Sequence, residues 1–289
     1  MFNKLFALII GVLTVSSCTV SEDVIIRENG NVEFIQKMEF PELASFMGLA
    51  SMEEKIEMNQ ISNQEFNYID FIKQLENFET SVLPSNKNNQ YSIYEEDLKA
   101  IDFLKFKLDL RDNFAFEFIN RAKSVDEFNA NSIIIDSTFA RIKAKEDIRI
   151  KELQEKKALE EIGKKKKKKK KNDEFEEIDE PLFNQDEFSN FTNVTLSYDG
   201  NVFSKVIDSK KILEKLNDEN YKTEDPAALE GMLKQVKYKI KYTFPKKIKS
   251  INYNDAMFSQ DGKTFVKEFS VSDILKNPEI LNLKVVLEN

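Results

Sequence analysis

Three dipeptides limit what this chain can fold into. Asn29-Gly30, Asp199-Gly200 and Asp261-Gly262 each stand between two runs of alternating apolar and polar residues: DVIIRENGNVEFIQKMEF, VTLSYDGNVFSKVI and AMFSQDGKTFVKEFSV. Asn-Gly and Asp-Gly tolerate the positive φ angles of a tight two-residue turn, so each segment reads as a β-hairpin. The chain has 7 glycines, and three are committed to these turns. A helical pattern follows each hairpin: PELASFMGLA, DSKKILEKLN and SVSDILKN. The last opens with a Ser or Asp placed to cap it.

Two further stretches alternate with period two. FLKFKLDLRDNFAFEFI sets Phe106, Leu108 and Leu110 on one face, then Phe114, Phe116 and Phe118 on one face. QVKYKIKYTFP sets Val236, Tyr238, Ile240, Tyr242 and Phe244 against Lys237, Lys239 and Lys241, and stops at Pro245. One apolar and one charged face describe antiparallel strands with a buried and a wet side. DSTFARIKAKEDIRIKELQEKKALEEIG is helical instead, with i,i+4 pairs such as Asp147 with Lys151 and Glu152 with Lys156, and Gly163 marks its end. The expected class is α+β: an antiparallel sheet built from hairpins with packed helices, plus one long charged helix.

The N-terminus, MFNKLFALIIGVLTVSSC, has Lys4, the apolar run Leu5 to Val15, small residues, and the one cysteine of the chain. The apolar run is too short to span a bilayer, which needs about 20 residues, and it has the layout of a secretory signal. Val15-Ser16-Ser17-Cys18 resembles the lipobox of bacterial lipoprotein precursors. The resemblance implies cleavage before Cys18 and acylation of Cys18 with several chains (palmitate-type anchoring), enough for stable attachment where one chain is marginal. Ser21-Glu22-Asp23, close behind, resembles the acidic export signals of Bacteroidetes surface lipoproteins. The implied location is the outer membrane, on either the periplasmic face or the cell surface. With one cysteine, no disulfide can close within the chain.

Residues 164 to 171 are eight consecutive lysines, and residues 172 to 190 carry eight acids and no base. Like-charge runs of this length extend by self-repulsion, and the acidic block competes intramolecularly for the lysines. Residues 164 to 190 are therefore expected to be a disordered insertion rather than a polyanion-binding device. The domain plan is a signal peptide over 1–17, an acylated tether over 18–23, and one composite domain from 24–163 and 191–289. Residues 18 to 120 carry 20 acids against 9 bases, so nucleic acid is not expected as a partner.

The chain has no histidine, no Gly-rich phosphate loop, no Gly-x-Ser-x-Gly elbow and no His/Cys metal spacing. No cofactor or metal is expected. Carboxylates such as Glu95, Glu96 and Asp97 can pair for glycoside chemistry only through a spatial arrangement that sequence does not display. Asp136-Ser137-Thr138 resembles a Bacteroidetes O-glycosylation site. The C-terminal segment from Tyr238 to Asn289, together with IIRENGNVEF, resembles Flavobacteria-type envelope lipoproteins and, more distantly, the LppM-like lipoprotein domain. That likeness implies a compact α+β envelope domain and supplies no catalytic residue. The expected role is a membrane-anchored, non-catalytic lipoprotein that contacts another envelope protein or an amphiphilic ligand. The alternative is a carboxylate enzyme acting on an envelope polysaccharide.

Overall fold

The computed structural model describes residues 19–40, 62–70, 73, 94–109, 114–164, 194–211, 231 and 233–289. The fold is α+β. All three hairpins form where the turn dipeptides place them. β1 (Thr19–Ile26) and β2 (Val32–Glu39) flank Gly30 at φ +84°, β6 (Val194–Tyr198) and β7 (Val202–Ile207) flank Gly200 at +95°, and β10 (Met257–Phe258) and β11 (Thr264–Ser270) flank Gly262 at +69°. The Asp side chains lock two of these turns, since Asp199 Oδ1 accepts from the backbone N–H groups of Asn201 and Val202, and Asp261 Oδ1 accepts from that of Lys263.

The remaining strands are β3 (Glu65–Asn67), β4 (Lys105–Asp109), β5 (Ala115–Ala122), β8 (Lys237–Thr243), β9 (Ile248–Ile251) and β12 (Leu283–Leu287). They build two sheets, one of eight strands in the order β10-β11-β8-β1-β2-β5-β4-β3 and one of four in the order β6-β7-β12-β9. Every pairing is antiparallel except one. β1 runs parallel to β8, in a register from Thr19 opposite Lys237 to Ile25 opposite Thr243. Within the large sheet, this pair joins the parts of the chain before and after the lysine run.

The expected tether is not a tether. Thr19 to Asp23 are the first five residues of β1, hydrogen-bonded on both sides near the middle of the larger sheet. A strand in that position has both its backbone edges satisfied, so Thr19 is already part of the sheet.

One face of the large sheet carries the core. Over β2, β5 and β4 it is covered by the long helix α2 (Val125–Lys164), where Phe34 meets Phe128 with ring centroids 5.2 Å apart and Tyr68 bridges Phe106 and Phe139. Over β8 and β11 it is covered by the small sheet, where Phe203 meets Tyr242 at 5.6 Å and Phe244 at 5.4 Å. Residues from before and after the lysine run enter a single hydrophobic core, from Val24 to Leu287.

The alternation of QVKYKIKYTFP holds, with Lys239 half-buried. Ile240, Tyr242 and Phe244 are buried, Tyr238 and Val236 half-buried, and Lys237 and Lys241 exposed. In the other motif Phe106, Leu108 and Phe118 are buried and Phe116 half-buried. Phe114, however, precedes β5 at φ +44° and leaves the strand pattern, while Leu110 lies outside the described residues.

The long helix starts eleven residues earlier than its charge pattern indicates. Its start is fixed by a Ser124 cap: Glu127 N–H donates to Ser124 Oγ at 3.1 Å, and the Glu127 carboxylate reaches back past the cap to accept from Lys123 N–H at 2.6 Å. Among the described residues its ion pairs include Glu146 with Arg149, Asp136 with Lys211 and, reaching outward, Arg141 and Lys145 with Asp97. The pairs expected at Asp147–Lys151 and Glu152–Lys156 are not among them.

α1 (Glu95–Leu98) packs on this helix, and α3 (Val271–Lys276) forms within SVSDILKN. Ser270 occupies the N-cap position of α3 but makes no side-chain capping bond, and its buried hydroxyl has no hydrogen-bond partner among the described residues. Residues 209–211 are helical, as DSKKILEKLN predicts. The rest of that segment, PELASFMGLA and the insertion beyond Lys164 lie outside the described residues.

Candidate functional site

Alternation along β1 places Val24 and Ile26 in the core, and the same phase puts Glu22 there with them. Alternation along β7 places Phe203 and Ile207 in the core, and Lys205 shares their phase. Both charged side chains are almost fully enclosed, at 2 % and 1 % exposure. They meet between the two sheets, with Lys205 Nζ 2.5 Å from Glu22 Oε1.

Tyrosines from β8 complete the cluster. Tyr242 donates its hydroxyl to Glu22 Oε1 and Tyr238 donates to Glu22 Oε2 at 2.6 Å. The Lys205 ammonium also stands 5.7 Å from the centre of the Tyr242 ring, within cation–π range. One carboxylate thus takes three donors, and its charge is balanced inside the core. Such a pair adds little net stability over an apolar contact, but it excludes every alternative packing that would leave one charge unpaired. Its place in the fold is a lock between the sheets.

Burial raises the Tyr238 and Tyr242 phenols well above the ordinary tyrosine value, and the Glu22 charge raises them further. The same two causes, in the same order, raise Tyr253, whose buried hydroxyl has no hydrogen-bond partner among the described residues. Elsewhere Tyr94 is pushed up to about 12 by burial and by its hydrogen bond to Glu146.

A phenol with a folded pKa above its unfolded value of about 10 supports the fold fully below that pH, and the support is lost as pH rises from there through the folded value. Alkaline titration followed by phenolate absorbance should show fewer than the 8 tyrosines of the chain ionising in the ordinary range. Tyr238, Tyr242 and Tyr253 should ionise only as the protein unfolds. Simultaneous titration of all of them in folded protein would contradict this burial.

The second buried acid, Glu146, is held by Arg149 and Tyr94, and the Arg149 hydrogen bond keeps its carboxyl below the usual range. Of the acids singled out in sequence, Asp97 pairs with Lys145 and Arg141, Glu96 pairs with Lys99, and Glu95 is half-buried on α1. On the opposite face of the large sheet Arg121 of β5 joins Glu33 of β2 and Glu65 of β3. Within Asp136-Ser137-Thr138, Thr138 is fully buried and the exposed Ser137 donates its hydroxyl to the Ile134 carbonyl.

Cys18, the expected lipidation residue, lies outside the described residues, one peptide bond before Thr19. The acidic motif behind it does not stand free. Glu22 is in the core and Asp23 faces Lys241 at 3.4 Å. Sequence reasoning missed the Glu22–Lys205 lock, although each residue carried a local signal as a charge in phase with apolar neighbours on a half-buried strand. Among the described residues no helix is long and apolar enough to cross a membrane, and no group of three or more acidic or cysteine side chains is arranged to hold a metal ion. No protein-family model matches the chain, and neither a curated protein nor a solved structure matches it.

Proposed function

We propose that this chain is an envelope lipoprotein, held to the outer membrane through acylated Cys18, with a non-catalytic structural or binding role towards another envelope protein or an amphiphilic ligand. The observation that carries the reading is Val15-Ser16-Ser17-Cys18 set directly before Thr19, the first residue of β1. Cleavage before Cys18 would remove the apolar segment and leave the strand intact. The buried acids support a non-catalytic role, because Glu22 and Glu146 are both occupied by tyrosine and a cation. A general acid or nucleophile has to reach substrate. Of the two leaflets, the periplasmic face is the better reading. An acidic export signal is read as an available peptide, and Glu22 is inside the core.

The experiment is metabolic labelling. Labelled fatty acid should enter the wild-type chain and be absent from Cys18→Ser, which should be recovered in the soluble fraction. Equal membrane recovery and equal labelling of the two forms would sink the proposal.

A further inference from the structure

All three hairpin turns gather at the end of the molecule opposite Thr19. The Asn29-Gly30 turn follows Ile26, the last residue of β1, and the parallel strand β8 ends beside Ile25. Just past β8, Phe244 N–H donates to the Lys263 carbonyl at 2.9 Å and Ile248 N–H to that of Gly262 at 2.8 Å, which brings in the Asp261-Gly262 turn. The Asp199-Gly200 turn joins them through β12, since Leu287 N–H donates to the Asn201 carbonyl at 2.7 Å and Glu288 N–H to the Lys247 carbonyl at 2.8 Å. β12 starts at Leu283, in register with Lys205, whose ammonium reaches Glu22 of β1. β1 and β12 therefore run the same way, from the Thr19 side to the turns. Each is an interior strand, β1 between β2 and β8, and β12 between β7 and β9.

We propose that this fold is a tension-bearing link, loaded at Cys18 on one side and at the turn end on the other. The inference rests on the acylation of Cys18 argued above. Ladder hydrogen bonds lie across the strands they join. A pull along a strand strains all of its ladder bonds together, whereas a pull across it opens them one at a time. Tension between the acyl chains and the turn end acts along β1, which must shear from two neighbours at once, and along β12, which must shear from two more. An entry strand at a sheet edge would be held on one side alone. Covalent geometry sets the Cα of Cys18 about 3.8 Å from that of Thr19, and Thr19 is already a paired strand residue, so load reaches the ladder with no slack between. The Glu22–Lys205 pair ties β1 to β7, the neighbour of β12, and couples the two sheared strands through the core.

The one cysteine of the chain is itself a handle. The mature polypeptide from Cys18 onward, made without its acyl groups, would be held by that thiol and by a second one. Asn289→Cys gives the axial pull. Glu39→Cys gives the transverse pull, because Thr19 and Glu39 are partners on neighbouring strands, and Lys37→Cys, opposite Ser21, is a second transverse variant should the first fail to fold. Forced unfolding reads the unfolding rate, so the two directions are compared in one fold at one pulling rate, with far-UV circular dichroism matched to wild type selecting folded variants. The expected result is an axial rupture force several times the transverse one. Equal forces, or a weaker axial one, overturn the tension role, and the anchor stands if labelled fatty acid still enters Cys18. Absence of fatty acid on Cys18 overturns the anchor and the tension role with it, whatever the forces.

Discussion

Replacing Lys205 with methionine is expected to remove about 3–5 kcal/mol of stability, the usual cost of leaving a buried charge without its partner. The side chain is 1 % exposed, and its loss strands the Glu22 carboxylate between two sheets with only tyrosine hydroxyls for company. Against a total of roughly 5–15 kcal/mol for a typical domain, this is a large fraction. The double variant Glu22→Gln with Lys205→Met should recover much of the loss. A glutamine carbonyl still accepts from Tyr238 and Tyr242, and no charge remains to be buried. Urea denaturation of a chain covering 19–289 measures both variants, with the midpoint shift read at constant slope. The expected signature is non-additivity, the double variant being more stable than Lys205→Met alone. A change under about 1 kcal/mol for Lys205→Met would match an exposed pair and contradict the buried lock.

The second large effect is expected at Ile240. Its side chain is fully buried at the centre of β8, in register with Glu22 on one side and Lys267 on the other. Ile240→Asp places a second carboxylate on the same face as Glu22, in a region already holding one balanced charge. Burying it unpaired costs several kcal/mol, enough to leave much of the protein unfolded. Lys241→Gln, the next residue, lies on the opposite face and gives up only the exposed contact with Asp23, worth about 0–1 kcal/mol. The contrast follows from period two and from no helical arrangement. Equal midpoint shifts for the two variants would mean that β8 does not face the core as described.

Much of this fold is legible in local sequence because its devices are local. The three turn dipeptides place three hairpins, and the apolar stripe from Tyr238 to Phe244 places β8. The Ser124 cap, with Glu127 three residues on, is equally local, yet the apolar stripe of the helix is too thin to draw attention to it. What local sequence does not carry is pairing over distance. Nothing near Thr19 specifies that β1 should lie parallel to β8, because that choice is made by two apolar faces closing over one core. The Glu22–Lys205 bond spans 183 residues. Each residue alone reads as a surface charge, and only its phase against Val24 and Ile26, or Phe203 and Ile207, says otherwise. Ser21-Glu22-Asp23 is acidic by composition, and alternation along β1 puts Glu22 in the core. Ser270 fails as a cap for a related reason: its position is right, but the hydroxyl is turned into the interior.

The central claim is that the membrane anchor and the middle of the main sheet are separated by a single peptide bond. Mass spectrometry of the N-terminal peptide of the mature protein, extracted from membranes, tests it most directly. The account predicts a chain that begins at Cys18, carries a diacylglyceryl group on sulfur and an acyl group on the amine, and continues unbroken through Thr19. A mature chain that retains Met1, or begins at an unmodified Cys18, or starts within β1, would contradict it.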